Sequence, residues 1–272
     1  MIKEKRKIPV SIWISFILLA LLLVIIIFAD SIAVHDSTEI DLILKYHEPS
    51  AEYPFGTDDY GRCVFCRCIF AIRNSVGIAF SIEIVSAFIG MVLGITAAYY
   101  GGIWGSVFAA VSNGLMAFPG MILIMLIVAF LGASTKNIVL AMLLVNWIWY
   151  ARLSRSISLS IKERKFVQAA RLNGAGSLTI IRRHIAPELF SQLIGQFTLM
   201  LGNVILSLAG FSFLGIGIQR PTPELGIMIS DGCGLIRTNF TILLWPGLIL
   251  FVIVLNFNVL GEWISDRLRK KA

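Results

Sequence analysis

Four cysteines are the residues in this sequence best suited to binding a metal ion. Cys63, Cys66 and Cys68 lie together in the segment GRCVFCRC, and Cys233 lies far along the chain. Three neighbouring thiols can bind a soft or borderline metal ion, but small buried cysteines are also common in the packed interior of helices. A disulfide that includes Cys233 is a third interpretation if this part of the chain meets an oxidising compartment. All three interpretations stay open.

The other residue types that commonly carry chemistry are sparse. His35 and His47 have no partner at metal-binding spacing in the sequence, and His184 lies in a separate basic segment. The sequence contains no Walker motif, catalytic triad or zinc-enzyme signature. We therefore expect no catalytic residue and no cofactor bound by this chain itself.

The composition is that of a polytopic membrane protein. Of the 272 residues, 57% are hydrophobic and 14% are charged, and the mean hydropathy is +0.85. In soluble domains about a quarter of the residues are charged, so this chain falls outside that class. The length suits one transmembrane domain, predicted over residues 1–272.

The net charge of +7 follows from where the basic residues lie and does not indicate nucleic-acid binding. Basic residues exceed acidic ones in residues 1–9, 151–188 and 262–272, whereas residues 30–73 hold eight acidic and four basic residues. Lys and Arg concentrate in the cytoplasmic loops of membrane proteins. The pattern predicts that both termini and a loop at residues 161–189 are cytoplasmic, and that residues 30–73 are extracytoplasmic.

Six apolar segments are predicted to cross the membrane as helices, which gives an all-α fold. A helix rises about 1.5 Å per residue, so about 20 residues span a hydrocarbon core of about 30 Å. The first segment is too long for the apolar part of a signal peptide. Pro119 is expected to kink the third segment, and the fourth is expected to continue as a helix past Arg152. The crossings are residues 10–29, 75–100, 103–131, 137–151, 189–218 and 240–261.

Glu83 is the one acidic residue that clearly lies within a predicted crossing. A carboxylate at membrane depth is costly and normally faces the protein interior or water. Glu83 is therefore a candidate for the translocation pathway. The alternative is that Glu83 lies close enough to the outer end of its helix to reach the interface or an arginine of a partner subunit.

Residues 161–189 form a polar segment between two apolar ones. The run Asn173-Gly174-Ala175-Gly176 is expected to end one helix, with Gly174 left-handed, and Ser177 is expected to cap the next. Pro187 is expected to mark the return to the membrane. A short helical hairpin with an apolar and basic surface can dock into a groove of a cytosolic partner. The alternative is an ordinary basic loop.

This polar segment resembles a loop of known transporters. Gln168-Ala169-Ala170, Gly174-Ala175 and Ile185-Ala186-Pro187 resemble the E-A-A, G, I-x-L-P loop of the membrane subunits of ABC importers. In that family the loop forms a coupling helix that fits a cleft of the ATPase subunit. Gln168 stands in place of the usual Glu, and Ala186 in place of Leu. The resemblance implies that the coupling residues are Gln168, Ala169, Ala170, Gly174, Ala175 and Pro187.

Three further blocks resemble the ABC importer subfamily for dipeptides, oligopeptides and nickel. The turn-rich segment 53–62 resembles its L-G-T-D-x-x-G-R-D element, although Asp58 and Arg62 could simply form a local ion pair in a turn. Residues 212–226 resemble S-F-L-G-x-G-x-x-x-P-x-P-x-W-G, and residues 246–268 resemble the family's C-terminal block. The matching residues of the first block are Gly56, Thr57, Asp58, Gly61 and Arg62, with Cys63 where the family has Asp.

The resemblance implies a type I ABC importer permease fold and a bacterial-type cytoplasmic membrane. This chain would form half of the translocation pathway, embedded in lipid. Its partners would be a homologous second permease, an extracytoplasmic solute-binding protein and two ATPase subunits that use ATP and Mg.

The substrate and the class of transporter are further expectations. Residues 147–152 and 209–217 are similar to nickel-type members, which favours nickel or another divalent metal over short peptides. A stand-alone secondary transporter or channel is disfavoured because inverted repeats and several buried ionisable residues are not evident. A purely structural membrane partner is a third alternative.

Overall fold

The computed structural model describes residues 9–269, and this part of the chain is helical without a β-strand. A single antiparallel bridge joins Thr57 to Cys63. The basic residues at positions 3, 5, 6 and 7 and at positions 270 and 271 lie outside the described residues. The cytoplasmic placement of both termini therefore stays a prediction.

Eleven α-helices occur within residues 9–269. A 3₁₀ turn at Leu42–Leu44 lies between the second and third helices, and a π-helical turn at Ile181–Ile185 lies between the eighth and ninth. The helices are α1 (Val10–Ile27), α2 (Ala29–Ile32), α3 (Val64–Tyr100), α4 (Gly102–Met116), α5 (Gly120–Leu131), α6 (Thr135–Lys162), α7 (Lys165–Leu172), α8 (Ser177–Ile180), α9 (Ala186–Phe213), α10 (Leu225–Cys233) and α11 (Phe240–Arg269).

Five described helical stretches are long and apolar enough to cross a membrane, and a bent pair makes a sixth if it counts as one span. Helices α4 and α5 form this pair and meet at 85°. The crossing predicted at 103–131 is thus broken where only a kink was expected. Pro119 lacks an N–H group to continue the helical ladder, and α5 starts directly after it.

Two predicted crossings begin or end elsewhere in the structure because the sequence near their ends contains no helix breaker. The helix predicted at 75–100 already begins at Val64, so the last part of the predicted extracytoplasmic segment 30–73 is helical. The helix predicted at 137–151 extends to Lys162, which agrees with the expected continuation past Arg152. Neither extension contains a glycine or proline.

Two other predicted crossings also differ from the observed helices in where they end. The segment predicted at 189–218 ends as a helix at Phe213. Gly215 follows with φ +78°, a left-handed conformation that stops the helix. The segment predicted at 240–261 continues as a helix to Arg269.

The chain divides into two compact units. The first comprises Met1–Ala79 and Thr198–Ile264, and the second comprises Phe80–Phe197 and Ser265–Ala272. The single transmembrane domain over the whole chain stays a prediction.

Close helix packing in the second unit places Glu83 and its neighbours. A Cβ atom at Gly90 would lie 2.5 Å from the Cβ of Tyr150, and one at Gly94 would lie 2.4 Å from the backbone oxygen of Ala151. Glycine at both positions therefore lets α3 and α6 approach closely, as small residues do in membrane helix pairs.

Candidate functional site

The polar segment 161–189 folds as a compact hairpin on the ends of two long helices. It runs from the end of α6 through α7, α8 and the π-helical turn into α9. Val167 of α7 is buried, as are Ile180 and Ile185 after the turn. Apolar side chains thus hold the hairpin together, and a helix–turn–helix forms as predicted.

The turn of the hairpin depends on one glycine. Gly174 has φ +80°, and its N–H donates to the backbone oxygen of Arg171 at 3.0 Å. The N–H of Ala175 donates to the backbone oxygen of Ala170 at 3.0 Å. These bonds close the end of α7 in the manner of a glycine C-cap. Any residue with a Cβ is strained in this conformation.

The expected capping role of Ser177 is wrong. Gly176 is the N-cap of α8, and no side chain accepts a hydrogen bond there. The extended backbone of Gly176 already sets the direction of the chain, so Ser177 becomes the first residue of the helix.

Pro187 lies just after the π-helical turn, as the second residue of α9. A proline ring clashes with the carbonyl one α-helical turn earlier and cannot donate to it. A widened turn before the proline relieves this clash. Arg164 Nη1 lies 2.5 Å from Glu188 Oε1 and thereby ties the start of the hairpin to its end.

The base of the hairpin is tied to the end of α3. Lys162 Nζ donates to the backbone oxygens of Ala98 at 3.2 Å and Tyr99 at 2.8 Å. The guanidinium of Arg171 lies 5.7 Å from the ring centroid of Tyr99. A cation at a helix C-terminus satisfies free carbonyls and favours the helix dipole. The hairpin is therefore fastened to three long helices, α3, α6 and α9.

The free surface of the hairpin is apolar and basic. Leu172 is 88% exposed and Leu178 is 62% exposed, on either side of the turn. Arg182 and Arg183 are also exposed. Gln168 and Ala169 are exposed on α7, and the Gln168 amide donates to the backbone oxygen of Glu163 at 3.1 Å. Exposed leucines beside cations suit a protein groove.

The segment Gly56–Arg62 forms a buried structural centre in the first unit. Asp58 Oδ2 accepts a hydrogen bond from Arg62 Nε at 2.7 Å, and Arg67 Nε lies 3.4 Å from the same oxygen. Asp58 Oδ1 accepts from the backbone N–H of Tyr60 at 2.9 Å and of Arg62 at 3.0 Å. The local ion pair proposed for Asp58 and Arg62 is therefore present, and Arg67 was missed by the sequence analysis.

Each remaining residue of this block has a packing or bonding reason. A Cβ at Gly61, where φ is +74°, would lie 1.7 Å from the backbone oxygen of Asp41. A Cβ at Gly56, where φ is +76°, would lie 2.7 Å from the backbone oxygen of His47. Thr57 Oγ1 accepts from the N–H of His47 at 2.8 Å and donates to the backbone oxygen of Leu44. These contacts hold residues 41–62 in place.

Glu224 is a buried residue whose role the sequence analysis did not identify. It is the N-cap of α10, and Oε2 accepts from the N–H of Ile227 at 3.0 Å. Its other oxygen accepts from Ser75 Oγ at 3.1 Å. Burial raises the pKa of the Glu224 carboxyl, while the N–H groups of Gly226 and Ile227 lower it. The sequence feature that could have indicated this N-cap is an acidic residue directly before an apolar segment.

Glu83 lies in the protein interior, as its cost at membrane depth requires. It is 1% exposed, and the hydroxyl of the equally buried Tyr150 donates to Glu83 Oε1. The second oxygen, Oε2, has no hydrogen-bond partner among residues 9–269. Tyr150 lines an apolar cleft of about 370 Å³ together with Phe80 and Phe197. The carboxylate thus has one partner and one free acceptor.

Two of the three neighbouring cysteines lie close to a histidine. Cys63 and Cys66 have ligand atoms within 4.8 Å of one another and of a ring nitrogen of His35. Cys68 is buried but does not belong to this group. His35 and the two cysteines are far apart along the chain, so no spacing in the sequence indicates that they are neighbours. Cys63, Cys66, Cys68 and Cys233 are all free thiols in the structure.

We predict that Asp58→Asn strongly destabilises the first unit. The change removes the carboxylate charge that the buried Arg62 and Arg67 share, and breaking a buried pair costs about 3–5 kcal/mol. The measurement is the apparent melting temperature of the detergent-purified protein, together with protease cleavage within residues 30–62.

Asp59→Asn is the matched control, because Asp59 is a third exposed and lies 3.7 Å from Arg62 Nη2. A pair of this kind contributes less than about 1 kcal/mol. Equal melting temperatures for the two variants would contradict the structural role of Asp58.

The sequence is similar to a described family and to curated proteins. Residues 90–272 match the family "Binding-protein-dependent transport system inner membrane component". The nickel transport system permease protein NikC of Escherichia coli K12 is 36% identical over 258 residues, which are 95% of this chain and 93% of that protein. The dipeptide transport system permease protein DppC of Alkalihalophilus pseudofirmus is 35% identical over 269 residues, 99% of this chain and 88% of that protein.

A third relative is the glutathione transport system permease protein GsiD of Escherichia coli O6:K15:H31, 35% identical over 252 residues, 92% of this chain and 83% of that protein. Among solved structures, an inward-facing form of the MetNI methionine ABC transporter aligns with a TM-score of 0.54 and 21% identity, covering 72% of this chain and 94% of that one. The structural likeness supports the fold. The chain therefore belongs to the family of inner-membrane permease components of binding-protein-dependent ABC importers.

Proposed function

We propose that this permease couples ATP hydrolysis in separate ATPase subunits to transport through the hairpin at residues 161–189. The main support for this proposal is the attachment of the hairpin to three long helices. Its base bonds to the end of α3, and its two arms continue from α6 and into α9. A force on the exposed turn would then move three long helices as a lever.

The exposed surface of the hairpin supports an ATPase as its partner. Leu172 and Leu178 would enter an apolar groove, and Arg182 and Arg183 would meet acidic residues on its rim. The proposed coupling residues cluster on the same hairpin, with Gln168, Ala169 and Gly174 at its exposed surface. In this arrangement the hairpin is cytoplasmic and residues 30–73 are extracytoplasmic.

The remaining subunits complete the proposed importer. A homologous second permease would supply the other half of the pathway, and a solute-binding protein would deliver the substrate from outside. ATP and Mg would bind only to the ATPase subunits, so this chain would bind neither. Glu83, with its free carboxylate oxygen, is the candidate residue of this chain for the pathway.

For the substrate we propose nickel or another divalent metal ion, free or chelated. The support is the similarity of residues 147–152 and 209–217 to nickel-type members, together with the identity of 36% to NikC. The dipeptide and glutathione permeases are nearly as similar, at 35% identity. Uptake of short peptides is therefore the second candidate function.

We predict that Gly174→Pro abolishes copurification of the ATPase subunits. Proline cannot adopt φ +80° and removes the N–H that bonds to Arg171, so the turn that presents Leu172 and Leu178 is lost. The measurement is the amount of ATPase recovered with an affinity-tagged permease from solubilised membranes.

Gly176→Ala is the matched control, since Gly176 has φ −65° and open space where a Cβ would lie. This variant should retain the ATPase as the unmodified chain does. Full recovery of ATPase with Gly174→Pro would overturn the coupling role of the hairpin.

The substrate is tested by uptake into vesicles that contain this chain with its partner subunits. We predict ATP-dependent uptake of labelled nickel, either alone or with a histidine chelator, and no uptake of a labelled dipeptide. Peptide uptake alone would disprove the metal substrate and keep the importer. Uptake that persists with ATPase subunits unable to hydrolyse ATP would instead indicate a stand-alone transporter.

A further inference from the structure

We propose that His35, Cys63 and Cys66 form a resident metal site that binds a thiophilic transition-metal ion such as Zn²⁺. One ligand atom from each residue lies within 4.8 Å of the others. Zinc sits about 2.3 Å from a sulfur ligand and about 2.0 Å from a nitrogen ligand. Small rotations of the three side chains would therefore bring all three ligands onto one ion.

Helix geometry selects two of the three neighbouring cysteines. Cys63 directly precedes α3, and Cys66 lies three residues later, so both face the same side of the first turn. The N–H of Cys66 lies 3.5 Å from Cys63 Sγ. Cys68 is two residues from Cys66 and points to the opposite side of the helix. This is why the third cysteine is not a ligand.

The backbone next to His35 is fixed against the same helix. Arg67 Nη1, on α3, donates to the backbone oxygen of Ser37 at 3.1 Å. Asp36 Oδ1 accepts from the N–H of Thr38 at 2.8 Å and from its hydroxyl at 2.7 Å. These bonds hold the chain just after His35 in place, and a ring nitrogen of His35 lies within 4.8 Å of both sulfur atoms.

The surroundings of the His35 ring suit a metal-binding histidine. Nε2 lies 3.7 Å from Glu52 Oε1, and the ring stacks on Tyr53 with centroids 4.8 Å apart. Nδ1 is buried and has no hydrogen-bond partner among the described residues. Metal-binding histidines commonly direct one nitrogen to a carboxylate and the other to the metal. Nδ1 is the nitrogen left for the ion.

The ligand set fixes the chemical class of the ion. Two thiolates and one imidazole select zinc, copper(I) or a similar soft or borderline ion over magnesium or calcium. Two thiolates with a divalent cation sum to zero charge, so the filled site avoids unpaired charge in a place where both cysteines are at most 2% exposed.

The metal ion at this site would have a structural role and would not be the transported substrate. Three ligands at a buried position would release a transported ion slowly, whereas they are suited to holding residues 35–63 against the first turn of α3. The inference does not rest on the proposed function, because it requires only that the chain itself retains the ion.

The test uses the full-length chain purified with its partner subunits in detergent under reducing conditions, exposed to Zn²⁺ and then desalted. Elemental analysis should find about one more zinc per chain than in Cys66→Ser or His35→Ala. With Co²⁺ in place of zinc, thiolate-to-cobalt charge-transfer absorption should appear and should be lost in Cys66→Ser. Cys68→Ser and His47→Ala are the matched controls and should retain both signals.

A milder variant guards against loss of folding. The side chain of Glu52 is exposed, so Glu52→Gln should not disturb folding. It should weaken zinc affinity about 10-fold to 100-fold while the cobalt spectrum keeps its form. Equal zinc content in the unmodified chain and in Cys66→Ser would overturn the site. A Cys63–Cys66 disulfide, found by mass spectrometry in protein alkylated directly from cells, would also overturn it. Neither measurement depends on uptake, so failure here leaves the transport proposal untouched.

Discussion

Backbone N–H and C=O groups at membrane depth must find hydrogen-bond partners within the protein, and this constraint shapes the whole structure. Long helices such as α3 and α11 meet this requirement along their whole length. Where a helix ends, a side chain forms hydrogen bonds with the backbone groups that lack a helical partner. Lys162 binds the last carbonyls of α3, and Glu224 caps the start of α10. Lys162 and Glu224 therefore lie where the helical ladder ends, whereas the buried Glu83 lies in the middle of α3.

The same requirement explains why polar chemistry is concentrated in a few places. Asp58 is buried only because two arginines and two N–H groups surround its carboxylate. Glu83 differs, since one of its oxygens has a partner in Tyr150 and the other has none within the described chain. Asp58 thus has a complete structural environment, whereas Glu83 keeps capacity for a further contact. This difference separates a structural acid from a candidate pathway acid.

Much of the fold could be predicted from the sequence because helical crossings follow from apolar composition and length. The all-α class and the family follow from such patterns, and the left-handed turn at Gly174 follows from the preference of helix ends for glycine. The ends of the crossings could not be predicted as well, because polar residues continue α6 as a helix beyond the apolar segment. The partners of Asp58 and His35 were missed in part. Arg67 and the His35–cysteine group become neighbours only when residues 30–62 fold back onto α3, and no spacing in the sequence records that contact.

Photo-crosslinking can show directly whether the hairpin contacts an ATPase subunit, as transmission of force through it requires. A photoreactive amino acid would replace Leu172, which is 88% exposed on the hairpin, or Val34, which is 82% exposed in the segment predicted to be extracytoplasmic. Irradiation of membranes that contain the whole transporter should join position 172, but not position 34, to an ATPase subunit. An ATPase adduct at position 34, or none at position 172, would show that the hairpin is not the ATPase contact.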